Sequence, residues 1–369
     1  MSPDAFKGTL SAAEVAEAIS SGWRRARPGD SVEELAMSDG GPGFLEAIRG
    51  AAGGMLSSCR VRDPLGREVP ARVLTQGETA YVESADACGL KLLRVSERRP
   101  KELSTIGVAD LIRAAALSGP RRVVVGLGGS ATNDGGAGLL DGLGLALLDK
   151  AGRPIGHGAR QLAALDHVDD GRSRLGPPPE LVAATDVDNV LLGPEGATAV
   201  YGRQKGADAR EQRLLERLLA QLAAVVARDV GGAGGLERRP GSGAAGGLGY
   251  GLFVLGASHE PGFGLVADIV GLEARVAGAD VVLTGEGHLD GQSPRGKVVA
   301  GVAAAARRAG KPCIALAGRV SLGPREIAAM HLAGTYATAS RAGSAAAAQE
   351  RPAHHLTELA EHVARDFRL

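Results

Sequence analysis

The stretch "ADVVLTGEG", residues 279–287, sets a short apolar run against a glycine-rich end. Two similar runs follow it, "KPCIALAG" at 311–318 and "GTYATAS" at 334–340. Segments with helical patterning separate and follow these runs, around 294–309, 323–331 and 354–367. Short strands that alternate with helices predict a parallel sheet, whose ligands bind beyond the carboxyl ends of the strands.

The N-terminal part of the chain fits the same kind of sheet. "SAAEVAEAISSGWRRA" (11–26) predicts a helix, and "SVEELAMSDGG" (31–41) predicts a strand that runs into a glycine loop. Parallel α/β domains usually begin with a strand, whereas "MSPDAFKG" offers none before the first helix. Because an unpaired sheet edge exposes backbone donors and acceptors, we expect the native gene product to carry a short apolar run upstream of Ser2.

The middle of the chain has a different pattern. "RVRDPLGREVPARVL" (60–74) has a Pro-Leu-Gly turn between two alternating segments, which predicts a β-hairpin. Further elements are predicted in this region: a third antiparallel strand at 79–84, a helix near 104–118, strands at 121–127 and 180–186, a helix at 207–229 and a glycine-rich loop at 241–251. A chain of 369 residues exceeds the usual size of one core. We therefore predict a two-domain α/β protein, in which a mixed domain (60–265) is inserted into a flavodoxin-like parallel-sheet domain (1–59 and 266–369).

Composition limits the partners of this protein. The 42 basic and 42 acidic residues balance, which disfavours nucleic acid or an anionic membrane as the main partner but allows a small anion. Cys59, Cys88 and Cys313 lie far apart in no metal-ligand spacing, as expected of reduced, buried cysteines. The chain shows neither a leader pattern nor a long apolar span, so we predict a cytoplasmic protein. Self-association is left open.

Two glycine loops share the pattern D-G-G-x-G. "GLGGSATNDGG" (126–136) follows the apolar strand at 121–127 and is predicted to open a helix over 139–148, while "DGGPG" (39–43) follows the strand predicted at 31–41. Successive backbone N–H groups beside a helix start bind anions, here a phosphate or a carboxylate. The alternative is that these turns need glycine for geometry alone. The third glycine of the dinucleotide fingerprint is absent from 126–131.

The segment "TGEGHLDGQSPRGKV" (284–298) follows another predicted strand. Gly291 to Lys297 has the spacing of a nucleotide-binding P-loop, but Val298 stands where a Mg²⁺-binding hydroxyl is needed. What remains is Lys297 at a helix start together with Glu286 and Asp290. The alternative is that this lysine is solvated.

"ATDVDNV" (184–190) places Asp186 and Asp188 on one side of an extended segment. Nearby carboxylates raise the pKa of one of the pair and can bind a divalent cation. The alternative is a solvated Asx turn capped by Asn189. Lys205 follows in "RQKGA", and Lys7 lies in a loop before the first helix, where it could equally be a surface lysine.

These loops, acidic pairs and isolated lysines together indicate phosphoryl transfer. That chemistry needs N–H groups and cations around the phosphates, carboxylates for Mg²⁺ and a base for the attacking hydroxyl. No Ser-His-Asp elbow, Cys-His pair or histidine-rich metal spacing competes with it in the sequence.

The same motifs resemble the first class of bacterial glycerate kinases. They are "PDAFKGTLSAAEVAEAI", "MSDGGPGF", "GLGGSATNDGGAGLL", "ATDVDNVLLGPEGA", "YGRQKGA" and "TGEGHLDGQSPRGKV", in the family's order and over nearly the whole chain. The resemblance implies ATP-dependent phosphorylation of D-glycerate, usually to 2-phosphoglycerate, in a cleft between two domains. The chain departs from the family pattern at Ala5, where serine is usual, and at Pro42 and Phe44, where the usual loop reads Asp-Gly-Gly-Glu-Gly-Thr.

Roles for these residues follow from the chemistry of a kinase that uses ATP and Mg²⁺. Lys7 and Lys297 would neutralise the transferred phosphoryl group or the substrate carboxylate, and Asp186 or Asp188 would deprotonate the hydroxyl. Glu286 or Asp290 would bind the metal. The remaining candidates would hold the anionic groups: Gly128, Gly129, Ser130, Asn133, Asp134 and Lys205. The second hypothesis is a non-catalytic regulator that binds a small acid or a nucleotide on the kinase fold.

Overall fold

The computed structural model describes residues 1–6, 8–171, 179–291, 293 and 298–367. The chain divides into two compact units. The first unit comprises Met1–Asp39, Glu46–Gly53 and Pro261–Leu369, and the second comprises Gly40–Leu45 and Gly54–Glu260. The predicted domain boundaries after residues 59 and 265 stay a prediction.

Strands and helices are numbered along the chain. The strands are β1 (Met55–Arg62), β2 (Glu68–Gln76), β3 (Thr79–Glu83), β4 (Arg122–Gly126), β5 (Leu145–Leu148), β6 (His167–Asp170), β7 (Glu180–Ala184), β8 (Ser258–Glu260), β9 (Val282–Leu289), β10 (Cys313–Val320) and β11 (Gly334–Ala337). The helices are α1 (Ala12–Ala26), α2 (Phe44–Ala52), α3 (Ala85–Cys88), α4 (Ile106–Ala116), α5 (Ala137–Gly142), α6 (Ala197–Tyr201), α7 (Ala209–Asp229), α8 (Ala244–Val254), α9 (Gly262–Val270), α10 (Leu272–Ala277), α11 (Val298–Arg308), α12 (Pro324–Ala329), α13 (Thr338–Ala342), α14 (Ala345–Glu350) and α15 (Pro352–Asp366).

The first unit contains a three-stranded sheet in the order β11-β10-β9, with both strand pairs parallel. These strands confirm the apolar runs predicted in the C-terminal third. The Ser11 hydroxyl caps α1 and the Glu14 side chain accepts from the Ser11 N–H, so the helix begins at a capping box. Helix α1 packs closely on α15 at Gly22, where a Cβ would lie only 2.1 Å from the Thr357 carbonyl oxygen.

The strand predicted at 31–41 is wrong, because residues 31–38 form no regular strand. Leu35 N donates to Met1 O (2.8 Å), and residues 1–4 in turn lie beside β9, where Ser2 N donates to Leu283 O (2.7 Å). Pro3 has no N–H to donate, so a continuous ladder cannot form along this segment. Residues 1–4 thus lie beside β9, and the apolar run upstream of Ser2 stays a prediction.

The second unit contains a six-stranded sheet in the order β1-β2-β3-β4-β7-β8. Strands β1, β2 and β3 are antiparallel neighbours, which confirms the predicted hairpin and its third strand. Strands β3, β4, β7 and β8 are parallel, and their last residues are paired in register: Glu83, Gly126, Ala184 and Glu260. The parallel sheet of the first unit and this mixed sheet confirm the predicted α/β class.

Two predictions for the second unit need correction. The helix predicted at 139–148 ends at Gly142, and Leu145–Leu148 is instead β5, which pairs antiparallel with β6. The chain turns at Gly144, whose φ of +103° favours glycine. The loop predicted at 241–251 is mostly helix α8, interrupted by left-handed backbone at residues 245–247. Its glycines permit close packing, since a Cβ on Gly251 would lie 3.0 Å from the Gly136 Cα.

Cys88 and Cys313 are buried, as predicted, whereas Cys59 is only half-buried; all three are free thiols. Within the described ranges, we find no helix with the length and apolar character needed to cross a membrane.

Candidate active site

The loop at 126–136 and the aspartates at 186 and 188 leave the sheet from neighbouring strands. Gly126 ends β4, Ala184 ends β7, and the two residues are paired. Leu127 N then donates to Ala184 O across 2.9 Å, which extends the pairing by one residue beyond the sheet. The glycine loop and the acidic segment therefore begin at the same edge of the sheet, where parallel α/β sheets bind ligands.

Asp134, one of the predicted ligand-binding residues, is fully buried and serves the loop itself. Its carboxylate accepts hydrogen bonds from the Thr105 N–H (2.8 Å), the Thr105 hydroxyl (2.9 Å), Gly136 N (3.2 Å) and Gly138 N (3.3 Å). Burial raises the pKa of this carboxyl group, and the four donors oppose that shift. The N–H groups at the start of α5 are thus bound by a side chain of the protein, so the predicted anion site at this helix start is not available.

Asn133 is likewise fully buried. Its side-chain amide donates to the Thr198 hydroxyl at 2.9 Å, which joins the loop to helix α6. Its Oδ1 atom has no hydrogen-bond partner among the described residues. Asn133 therefore connects two segments of the second unit and retains one unused acceptor.

Lys205 contacts the buried part of the glycine loop at 126–136. Only 3% of this lysine is exposed, and its Nζ donates to the Ser130 hydroxyl oxygen (2.8 Å) and to Thr132 O (2.7 Å). Burial lowers the pKa of Lys205 to about 8, although Cys88 and Asp134 both act to raise it. The Cys88 thiol has a pKa raised to about 12 by burial and stays protonated, so the Asp134 carboxylate is the negative charge that faces this lysine.

Two residues of the glycine loop are exposed to solvent at least in part. Gly128 is partly exposed and Gly129 is exposed, whereas the residues from Ser130 to Ala137 are buried. Among the described residues, no acceptor binds the N–H groups of Gly128 and Gly129. A Cβ on Gly128 would lie 2.5 Å from the Gly41 Cα, and one on Gly129 would lie 2.9 Å from the Pro42 side chain. The loop at 40–43 therefore lies against the exposed residues of the predicted cradle, Gly128 and Gly129.

Glu83 fixes that neighbouring loop. It is buried, and its Oε1 accepts from Gly43 N (3.1 Å) and Leu45 N (2.9 Å) at the start of α2, while Arg72 lies 3.6 Å from its other oxygen. We did not predict this residue, although it ends β3 in register with Gly126 and the rule used for β4 and β7 applies to it equally. At this second loop too, a protein carboxylate binds the N–H groups of the helix start.

Phe44 and Pro42, two of the departures from the family pattern, have packing roles. Phe44 is fully buried and meets Tyr81 edge-on with ring centroids 6.1 Å apart. A Cβ on Gly126 would lie 2.9 Å from the Phe44 ring, so glycine at this strand end makes room for the aromatic side chain.

The two aspartates differ in exposure. Asp188 is exposed and Asp186 is half-buried. The predicted strand extends to residue 186, whereas β7 ends at Ala184, so both aspartates follow the strand. The alternative of a turn capped by Asn189 is wrong, because the Asn189 side chain binds elsewhere: it donates to Glu195 O (2.7 Å) and accepts from the Tyr201 hydroxyl (2.7 Å). Asp188 is therefore presented to solvent at the sheet edge by an anchored segment.

In the first unit, Glu286 and Asp290 belong to β9 and the turn after it. Glu286 is buried, whereas Asp290 is partly exposed and its N–H donates to the Ser293 hydroxyl at 3.0 Å. A strand rises about 3.3 Å per residue, so four residues separate their backbones by roughly 13 Å. One ion is therefore better placed to bind one of these carboxylates than both. Lys7 and Lys297 lie outside the described residues.

A different group has the spacing of a three-ligand metal site. On α15, ligand atoms of His354, His355 and Glu358 lie within 4.8 Å of one another, and no other such trio of His, Cys, Asp or Glu occurs among the residues that the structure describes. Imidazole nitrogens suit transition metals, whereas Mg²⁺ prefers oxygen. This group does not correspond to the predicted magnesium ligands.

Comparison with known proteins identifies the family. The family model "Glycerate kinase family" matches residues 1–368. The chain belongs to the glycerate kinase family. This membership confirms the resemblance that the motifs indicated, and it confirms the prediction of an enzyme of the glycerate kinase type.

Individual relatives match over nearly their full length. A glycerate kinase of Bacillus subtilis (strain 168) is 39% identical, covering 100% of this chain and 96% of the relative. A glycerate 2-kinase of Escherichia coli (strain K12) is 38% identical, covering 87% of this chain and 85% of the relative. A crystal structure described as glycerate kinase 2 of Salmonella typhimurium LT2 superimposes with a TM-score of 0.78 at 36% identity, covering 98% of this chain and 96% of that one.

Proposed function

We propose that this protein transfers the γ-phosphoryl group of ATP to a hydroxyl of D-glycerate, with Mg²⁺ as the metal and 2-phosphoglycerate as the product. One observation supports the proposal most strongly. The glycine loop after β4 and the aspartates after β7 leave the sheet at paired residues, Gly126 and Ala184. This pairing supports a proposal in which the anion site and the base lie side by side, as transfer to a hydroxyl requires.

The exposed pair Gly128 and Gly129, together with the adjacent buried Ser130, is the proposed site of an anionic group, either a phosphate of ATP or the carboxylate of glycerate. Both carry oxygens that accept hydrogen bonds from backbone N–H groups. Asp134 and Asn133, predicted with this group, are proposed to hold the loop in shape, since both are buried and bound to the protein.

Asp188 is the proposed general base, and Asp186 is the second candidate. A base must reach the hydroxyl proton, which an exposed carboxylate at the sheet edge can do. Lys7 and Lys297 are proposed to neutralise the transferred group.

Glu286 is the proposed protein ligand of Mg²⁺, with Asp290 as the alternative. Mg²⁺ is commonly bound by one or two carboxylates together with substrate phosphates and water. The buried carboxylate of Glu286 on β9 fits that donor set. When bound, the ion would offset negative charge on the phosphates.

An assay of ADP release with ATP, Mg²⁺ and D-glycerate tests the proposal. Release of ADP that depends on glycerate is the expected result, since the family is one of kinases. Binding of ATP without any ADP release would instead support the non-catalytic regulator. L-glycerate serves as the matched control for the acceptor, because it differs from D-glycerate only in the configuration at C2.

A further inference from the structure

Ser130 has an unused hydrogen-bond donor directly beside the open N–H groups of the glycine loop. It is only 4% exposed. Its Oγ atom accepts from the Lys205 ammonium at 2.8 Å, and among the described residues nothing accepts the Ser130 hydroxyl proton. A buried hydroxyl normally uses its donor, so an unused one needs an explanation.

The direction of this hydrogen bond decides where the hydroxyl proton can point. Lys205 has three donors and no acceptor, so the Ser130 oxygen must be the acceptor and its proton must point away from the lysine. The preceding residues, Gly128 and Gly129, supply N–H groups that no acceptor within the described chain binds. Three donors are therefore available along three consecutive residues.

We propose that the Ser130 hydroxyl completes an oxyanion subsite with the N–H groups of Gly128 and Gly129, and that Lys205 is the positioning residue that orients this hydroxyl. The ligand is an oxyanion, supplied by a phosphate of the nucleotide or by the carboxylate of the organic acid. This inference rests on the proposed function, in which the glycine loop binds an anionic group.

The surroundings of Lys205 support a fixed orientation. The second hydrogen bond of its Nζ, to Thr132 O at 2.7 Å, restrains the ammonium from the other side. Gly246 packs beside the ammonium group, since a Cβ there would lie 2.7 Å from Nζ. The buried Lys205 ammonium also contributes positive electrostatic potential at the glycine loop, which favours the binding of an anion there.

The charge of Lys205 gives the subsite a pH dependence. Burial lowers the pKa of this lysine to about 8, and the ionisable groups that face it are Cys88 from α3 and Asp134 from the loop. Deprotonation removes the positive charge, so anion affinity is expected to fall as the pH rises through about 8. Folding stability responds in the opposite direction, because the unfolded state binds more protons between the folded and unfolded pKa values of this lysine.

Isothermal titration of the full-length protein with ADP, D-glycerate and inorganic phosphate tests the inference. Ser130→Ala and Lys205→Met are each expected to raise the dissociation constant of at least one probe about tenfold. The double variant should bind like Lys205→Met, because the Ser130 hydroxyl is no longer oriented once the ammonium is gone, so its removal then costs little more. Lys150→Met, which replaces an exposed lysine of the same unit, is the matched control and should bind like wild type.

Repeating these titrations at several pH values separates a positioning role of Lys205 from a purely structural one. Wild-type affinity should fall above pH 8, and this dependence should be absent in Lys205→Met. If Lys205→Met does not fold, Ser130→Ala decides, since it removes only an oxygen. The probe that is weakened shows whether the anion is a phosphate or a carboxylate.

Unchanged affinity of Ser130→Ala for all three probes would overturn the inference, as would additive effects in the double variant or wild-type protein that binds none of the probes. Because binding is measured, wild-type protein that binds the probes but releases no ADP would contradict the proposed function alone.

Discussion

Gly126 and Ala184 are paired at the ends of two parallel strands, and Leu127 N donates to Ala184 O just beyond them. This pairing fixes the starting points of the glycine loop and of the aspartate segment. The last regular residue of each strand is buried, so neither starting point can shift without disturbing the core. The segments that carry the proposed base and the proposed anion site therefore begin at fixed, neighbouring points of the sheet.

Asp188→Asn tests the base directly. The amide keeps the shape of the side chain but cannot accept the proton, so we expect kcat to fall by about 10²–10⁴. The nucleotide dissociation constant should change little, because this substitution leaves the glycine loop at 128–130 unchanged. Glu180→Gln is the matched control, since Glu180 is an exposed carboxylate at the start of β7, the strand that precedes Asp188.

A series of Mg²⁺ concentrations distinguishes the other roles of Asp188. If this residue binds the metal, Asp188→Asn will weaken Mg-ATP binding and excess Mg²⁺ will restore part of the activity. Near-normal turnover together with a lower melting temperature would contradict both chemical roles and make Asp188 a structural residue.

Asp134→Asn tests whether this carboxylate shapes the loop. Four donors converge on Asp134, and an amide in its place would set an NH₂ group against some of them. Loss of these hydrogen bonds to a buried carboxylate is expected to lower the free energy of unfolding by about 2–4 kcal/mol. Urea denaturation measures the change. Asp141→Asn, at a partly exposed site on α5, should cost less than about 1 kcal/mol, and equal losses in the two variants would contradict the assigned role.

Gly246→Ala tests the close packing of α8 against the loop. Its φ is +75°, and a Cβ would lie 2.0 Å from the Thr132 carbonyl oxygen. Gly232 has almost the same φ, +78°, but nothing lies within 4 Å of a Cβ there. Gly232→Ala therefore measures the backbone strain alone, about 1–2 kcal/mol.

The larger loss of unfolding free energy is expected for Gly246→Ala. The difference between the two losses measures the cost of the steric clash between the new Cβ and the Thr132 carbonyl oxygen. Thermal or urea denaturation of both proteins measures it. Equal stabilities would show that the loop at 130–134 moves freely away from α8.

The sequence was sufficient for the parts of the fold that depend on local patterns. Apolar runs ending in glycine predicted β4, β9 and β10, and the apolar run "ELVAATD" (180–186) predicted β7. The rule that ligands bind beyond parallel strands placed Asp186, Asp188 and the glycine loop at a sheet edge. The orientation of Asp134 could not be predicted in this way, because its main partner, Thr105, lies 29 residues earlier in the chain. Helix α8 was missed since its glycines, typical of loops, are required by packing against Gly136.

Phosphorus NMR of the reaction product tests the central claim most directly. With ATP, Mg²⁺, D-glycerate and the wild-type protein, we predict a new phosphomonoester signal that grows with that of ADP, and whose coupling to a single proton at C2 identifies 2-phosphoglycerate. Coupling to the two protons at C3 would contradict the proposed product. Absence of any phosphomonoester, with ATP bound to the protein and unconsumed, would contradict the proposed activity itself.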